Sequence, residues 1–256
     1  MLELAKRLSN FNLNFSAKKG IITFHNKMLE NGFSLVNDKF HKENELIYNR
    51  AINHDGTDNG KSNFFVFVKI KPLYCKIFFF NPDYSQEAYF LKPNEIYQNI
   101  YLKNYTSQEI NHTIKKIIHI ANKKPNNSYF ILLHSHVGYI NGVNLLEKHL
   151  DDGQSDQLII IRQLMLHHYD IDASGMHNNF IPSLFIQQQN MEKQVGIIKV
   201  PSIEITLPLN KRAANGPHEI AWFSSVKDAI DYHNYFFKER VGKYPPYATT
   251  KSLKKY

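Results

Sequence analysis

Cysteine is almost missing from this chain. Cys75 is alone among 256 residues, so no intrachain disulfide can form. It lies in the apolar run LYCKIFFF, where a lone thiol reads as a small buried hydrophobe. A nucleophilic thiol would instead be expected at a helix N-terminus beside a base. No run approaches the ~18 apolar residues needed to cross a bilayer. The opening stretch MLELAKRLSNFNLNF breaks its apolar positions with charges and asparagines, which does not make a secretory signal. A cytoplasmic protein is expected, or one exported without a cleavable signal peptide. There is no internal repeat and no low-complexity tract. The glycine-containing stretch HDGTDNGKSN carries Lys61-Ser62 without the earlier glycine of a phosphate-binding loop, and reads as an exposed connection.

What is present describes a folded protein. Hydrophobic residues make up 43% and charged residues 21% of the chain, outside the disordered range. The net charge is +8 and the isoelectric point is near 9.3. A field of that sign permits nucleic acid, anionic membrane or acidic protein partners without selecting among them. The C-terminal segment adds to the case for nucleic acid: Lys243, Lys251, Lys254 and Lys255 could track phosphates, and Tyr244, Tyr247 and Tyr256 could stack on bases.

Periodicity gives a coarse map. Leu2, Leu4, Ala5 and Leu8 fit a short helix. The segment from Gly20, IITFHNKMLENGF, mixes helix and strand signals, and residues 38–62 read as polar connection. Phe64–Ile70 and Tyr74–Phe80, with Pro72 between, predict a β-hairpin, and Glu87–Leu91 a further strand. Ile110, Ile114, Ile117, Ile118 and Ala121 recur at helical spacing behind a Thr106-Ser107-Gln108-Glu109 cap, predicting a helix over 107–122. His112 and His119 would be boundary residues of that helix. A helix from about Ser155 should end in His167 and His168, where the dipole favours histidine. Strands are expected at 181–187, 195–200, 203–207 and 220–223, and a last helix at 225–237. The expected class is α/β or α+β, one mixed sheet flanked by helices. The expected divisions are an N-terminal subdomain over 1–60, an α/β domain over 61–240 and a basic tail over 241–256.

The stretch richest in chemistry is SYFILLHSHVGYINGVNLLEKHLDDGQSD, from Ser128 to Asp156. Its apolar start, Tyr129–Leu133, predicts a buried strand. His134 and His136 would then project from one face at the strand's carboxyl end, because residues two apart share a face. Two imidazoles and a following acid supply three zinc ligands and leave the fourth position for water, the arrangement of a catalytic zinc. A separate carboxylate would then shuttle the proton. A second metal option is Asp170, Asp172 and His177, where Asp-x-Asp with a nearby histidine could bind magnesium; the same DIDASG also reads as an Asx-rich turn.

Helix, apolar strand, His134-Ser135-His136, acidic loop and second helix together resemble the JAB/MPN+ (JAMM) metallopeptidases over residues ~85–207. The resemblance implies a zinc-dependent hydrolase acting on protein or ubiquitin-like conjugates. It implies His134 and His136 as ligands, Ser135 in the family's Ser/Thr position, and Glu87 as the proton-transferring carboxylate. Val137 stands where the family has proline, and the third ligand would be Asp152 or Asp156, with Asp156 preferred at the start of the second helix. A basic nucleic-acid-binding protein and a non-catalytic protein-interaction module are the competing functional classes.

Overall fold

Strand β3, Lys61–Ile70, sits at the centre of an antiparallel meander whose order follows the chain: β1 (Ser34–Leu35), β2 (Glu45–Asn53), β3, β4 (Cys75–Phe80) and β5 (Tyr97–Leu102). The computed structural model describes residues 4, 8, 9, 11, 13–53, 61–82, 97–124, 130–133, 135, 137–140, 143–144, 155–206 and 218–237. The chain divides into two compact units, Met1–Tyr129 with Met165–His168, and Phe130–Leu164 with Tyr169–Tyr256. The class is α/β, with parallel and antiparallel pairings both present. Among the described residues the strands fall into four sheets, where a single one was expected.

In the first unit, alternation sends Phe64, Val66, Val68 and Ile70 of β3 to one face. There they meet Ile21, Phe24 and Met28 of helix α1 (Phe15–Glu30), and Ile110, Ile114 and Ile117 of helix α2 (Ser107–Ala121), in one core. The predicted hairpin is present: Phe67 opposes Phe78 and Ile70 opposes Cys75. The cap on α2 is present as well. Glu109 N–H donates to Thr106 Oγ1 at 3.2 Å, and the Glu109 carboxylate accepts from the N–H groups of Lys103 and Asn104. His112 and His119 are exposed. Burial pushes the Cys75 thiol up to about 11, as an inert core cysteine requires.

Three expectations are corrected here. Residues 45–53 form a strand despite their polar flanks, because Leu46, Ile47 and Tyr48 are buried in the sheet. β2 and β3 pair antiparallel from Glu45↔Lys69 to Asn53↔Lys61, so the boundary expected at residue 60 falls inside the sheet. His168 does not act as a cation at a helix end. It is fully buried, with its Nδ1 accepting from Phe65 N–H (3.1 Å) and its Nε2 donating to Phe80 C=O (2.7 Å). Burial first, and the neighbouring Lys124 second, lower its pKa to about 3, so it is neutral.

The second unit contains a parallel sheet of β6 (Ile131–Leu132), β10 (Ile171–Asp172) and β12 (Ile198–Lys199), in the order β12-β10-β6. Helix α3 (Gln157–Leu166) and helix α4 (Pro182–Lys193) lie between these strands in sequence. The strand expected at 181–187 is therefore the start of α4. Pro182 occupies the first helical turn, where its missing N–H costs nothing, and Leu184, Phe185, Gln188 and Glu192 form the buried stripe. A second sheet joins β11 (Met176–His177), β13 (Ser202–Thr206) and β14 (His218–Trp222). One face of it packs Ile203 and Ile205 against Phe180, Phe185 and Ala229, the last from helix α5 (Val226–Phe237). A third small sheet holds β7 (Val137–Ile140), β8 (Val143–Asn144) and β9 (Ser155–Asp156). Among the described residues, no helix is long and apolar enough to cross a membrane.

Candidate metal centre

The face of the β11-β13-β14 sheet opposite its apolar core carries a donor cluster. His177 on β11 lies directly opposite Glu204 on β13. Across the next pairing Glu204 faces Ile220 and Thr206 faces His218, so His218 sits one diagonal step from Glu204 on the same face. Extra backbone pinning holds the register: Asn178 N–H donates to Glu204 C=O at 2.6 Å. Gly175 lets the two segments approach. A Cβ at that position would lie 2.7 Å from the backbone of Ser202 and Ile203. The outcome is one ligand atom each from His177, Glu204 and His218, all within 4.8 Å of one another.

The environment is graded. Glu204 is buried, His177 is at the edge of burial, and the His218 side chain is 40% exposed. The two rings lie 4.9 Å apart at 42°, and His218 Nδ1 donates to Glu204 Oε1. A tetrahedral zinc with bonds of ~2.0–2.2 Å spaces its ligands roughly 3.3–3.6 Å apart, so closing the cluster on an ion requires movements of about 1 Å. Side chains can supply these. Two imidazoles and one carboxylate are a donor set suited to zinc, and a half-exposed third ligand leaves an approach from solvent.

His134, His136, Glu87 and Asp152 lie outside the described residues, as does the basic segment from Lys243 to Tyr256. Asp156 stands at the start of α3 and its Oδ1 accepts from Leu158 N–H at 2.8 Å, so the capping role of an acid at that position is realised. Ser135 is partly buried and donates to Ser174 Oγ at 2.9 Å. Ser174 in turn donates to Asp172 Oδ1 at 2.5 Å, and Asp172 Oδ2 accepts from Lys199 Nζ at 2.7 Å. Lys199 also donates to Ser174 C=O. Glu192 joins this network from α4. Burial first and the Asp172 charge second raise its pKa well above the usual carboxylate range.

Among the described residues the magnesium option is not assembled. Asp172 is neutralised by Lys199, its partner in register across β10 and β12, and Asp170 Oδ2 accepts from Phe130 N–H. Of that trio, among the described residues, only His177 belongs to a donor cluster. No motif in the sequence singles out Glu204 or His218. Glu204 looks like the outward residue of an alternating strand, and no spacing rule links positions 177, 204 and 218. Comparisons with protein-family models, curated proteins and solved structures gave no match.

Proposed function

We propose that this protein is a metal-dependent hydrolase, with zinc held by His177, Glu204 and His218 and a peptide or isopeptide bond of a protein as its substrate. The observation that carries this reading is the convergence of two imidazoles and a buried carboxylate on one face of one sheet, with the His218 side open. Zinc bound by three protein ligands lowers the pKa of a fourth, water ligand to about 7, which supplies hydroxide at neutral pH. With zinc held there, hydrolysis would place the water's hydroxide on the carbonyl carbon and its proton on the departing nitrogen, with no redox partner. Glu204 anchors from within the protein, His177 is fixed by strand register, and His218 closes the set from the exposed strand.

Metal analysis tests this directly. The purified protein should hold about one zinc per chain. His218→Ala, which removes a half-exposed ring, should lose that zinc and any peptidase turnover while keeping the wild-type circular dichroism. The double variant His134→Ala/His136→Ala should keep it. Zinc retained by His218→Ala and His177→Ala, or lost only from the His134/His136 variant, removes the assignment.

A further inference from the structure

The donor cluster shares its face with two apolar side chains in line. His218, Ile220 and Trp222 alternate along β14 and therefore point the same way, with Trp222 opposite Ser202 and Ile220 opposite Glu204. Trp222 is 53% exposed, yet it is not loose: its indole N–H donates to Ala173 C=O at 3.0 Å. An exposed aromatic ring held by its polar end is a preorganised contact surface. At 3.3–3.4 Å per residue, Trp222 lies roughly 13 Å along the strand from His218.

β14 is also an edge. It is last in the order β11-β13-β14, and among the described residues it pairs only with β13. Natural sheets usually blunt such edges with proline, lysine, a bulge or a cover. The sequence HEIAW contains neither proline nor lysine, and its pairing with β13 runs through five consecutive positions without a bulge; Glu219 is the one charged side chain it presents, beside the exposed His218 and Trp222. An edge with no second partner strand among the described residues presents backbone donors and acceptors at the spacing of another extended chain, which is the basis of peptide recognition by strand addition.

We infer that the outer edge of β14 receives an extended peptide as an added strand, and that this peptide is the substrate of the proposed hydrolase. Alternate side chains of the peptide rest on Ile220 and Trp222, so apolar or aromatic residues are selected there. The bond to be cleaved lies at the His218 end. A folded surface without an extended segment does not fit, because an edge is read by main-chain hydrogen bonds. The inference rests on the zinc reading for its chemistry but not for its binding geometry, and the two can fail separately.

Trp222 is the sole tryptophan of the chain, so its emission reports on this edge alone. The probe is a decapeptide, acetylated and amidated at its ends, with Leu and Phe at alternate positions and Thr between. It is titrated into the full-length protein with and without one equivalent of zinc. A saturable change in emission is expected, and an analogue N-methylated at alternate residues should bind at least tenfold more weakly. By calorimetry, Trp222→Ala should also lose at least tenfold in peptide affinity while keeping its zinc. Zinc bound with no saturable emission change, equal affinity for the N-methylated analogue, or unchanged affinity in Trp222→Ala each overturns the edge site. Peptide binding without any zinc uptake keeps the edge site as a binding surface and overturns the hydrolase.

Discussion

The buried imidazole of His168 makes the protein acid-sensitive to an extent that can be worked out in advance. In the folded state its pKa is lowered from 6.5 to about 3, first by burial and then by Lys124. Both ring nitrogens are engaged, one by Phe65 N–H and the other with Phe80 C=O, and the ring stacks on Phe64 at 4.3 Å. A proton on Nδ1 would break the first bond and place a cation beside the Lys124 ammonium. Between the two pKa values the unfolded chain binds a proton that the folded chain refuses. Stability therefore rises with pH across this window, is fully present above pH 6.5, and is lost as pH falls towards 3. The loss is about 1.4 kcal/mol per pH unit, or about 2 kcal/mol at pH 5, a large part of the 5–15 kcal/mol that holds a typical domain together. Urea unfolding at pH 7 and pH 5 measures it. His168→Gln supplies the control, since its amide can accept and donate in place of the ring without titrating. The wild type should lose about 2 kcal/mol more than this variant over that interval. Equal losses, or an imidazole NMR titration of His168 centred near 6.5, would refute the reasoning.

Other perturbations test the packing behind the sites. Gly175→Ala should weaken zinc binding at least tenfold with the protein still folded, because a Cβ there would push β11 away from β13; equilibrium dialysis measures this. Lys199→Met leaves the Asp172 carboxylate buried without its cation and should cost about 3–5 kcal/mol. Adding Asp172→Asn should recover part of that loss in a double-mutant cycle read by urea unfolding. Gly20→Ala should destabilise by about 2 kcal/mol, although alanine is the better helix former by ~1 kcal/mol, because the new Cβ would sit 2.3 Å from Tyr105 Cβ; thermal unfolding decides the sign.

The parts of the fold that were legible in the sequence are those whose local pattern and tertiary role agree. The isoleucines of α2 recur at three and four residues behind a capping threonine, and the β3–β4 hairpin shows two apolar runs around a proline. Residues 181–187 misled because IPSLFIQ is short and apolar, and such a run fits a strand or a buried helical stripe equally well. Length decides between them, and the helix continues through polar residues to Lys193. β2 was hidden by its neighbours: a polar stretch on each side masked the three buried residues Leu46, Ile47 and Tyr48. The environment of His168 is illegible for a different reason. Its position just past a helix end is a local feature, whereas its burial depends on β3 and β4, about a hundred residues earlier in the first unit's sheet.

The candidate centre shows why a run of polar residues need not be one site. Asp170, Asp172 and Ser174 alternate, and all three are buried. Asp172 and Ser174 engage Lys199, while Asp170 takes Phe130 N–H. Read with the same period, the next partner would be residue 176. The donor that reaches the other sheet is His177, one position out of phase. Gly175 lies at the change of phase, where only a missing side chain allows the backbone to close on Ser202 and Ile203. A one-residue shift reverses which face each side chain takes. Asp172 and His177 are thus delivered to different sheets although they stand five positions apart, and DIDASGMH serves two structures. Its first half locks a lysine between parallel strands. Its second half supplies an imidazole to a carboxylate on the neighbouring sheet. Sequence proximity grouped these residues by composition, whereas strand phase separates them, and the donor set that results is joined only by the pairing of β11 and β14 with β13.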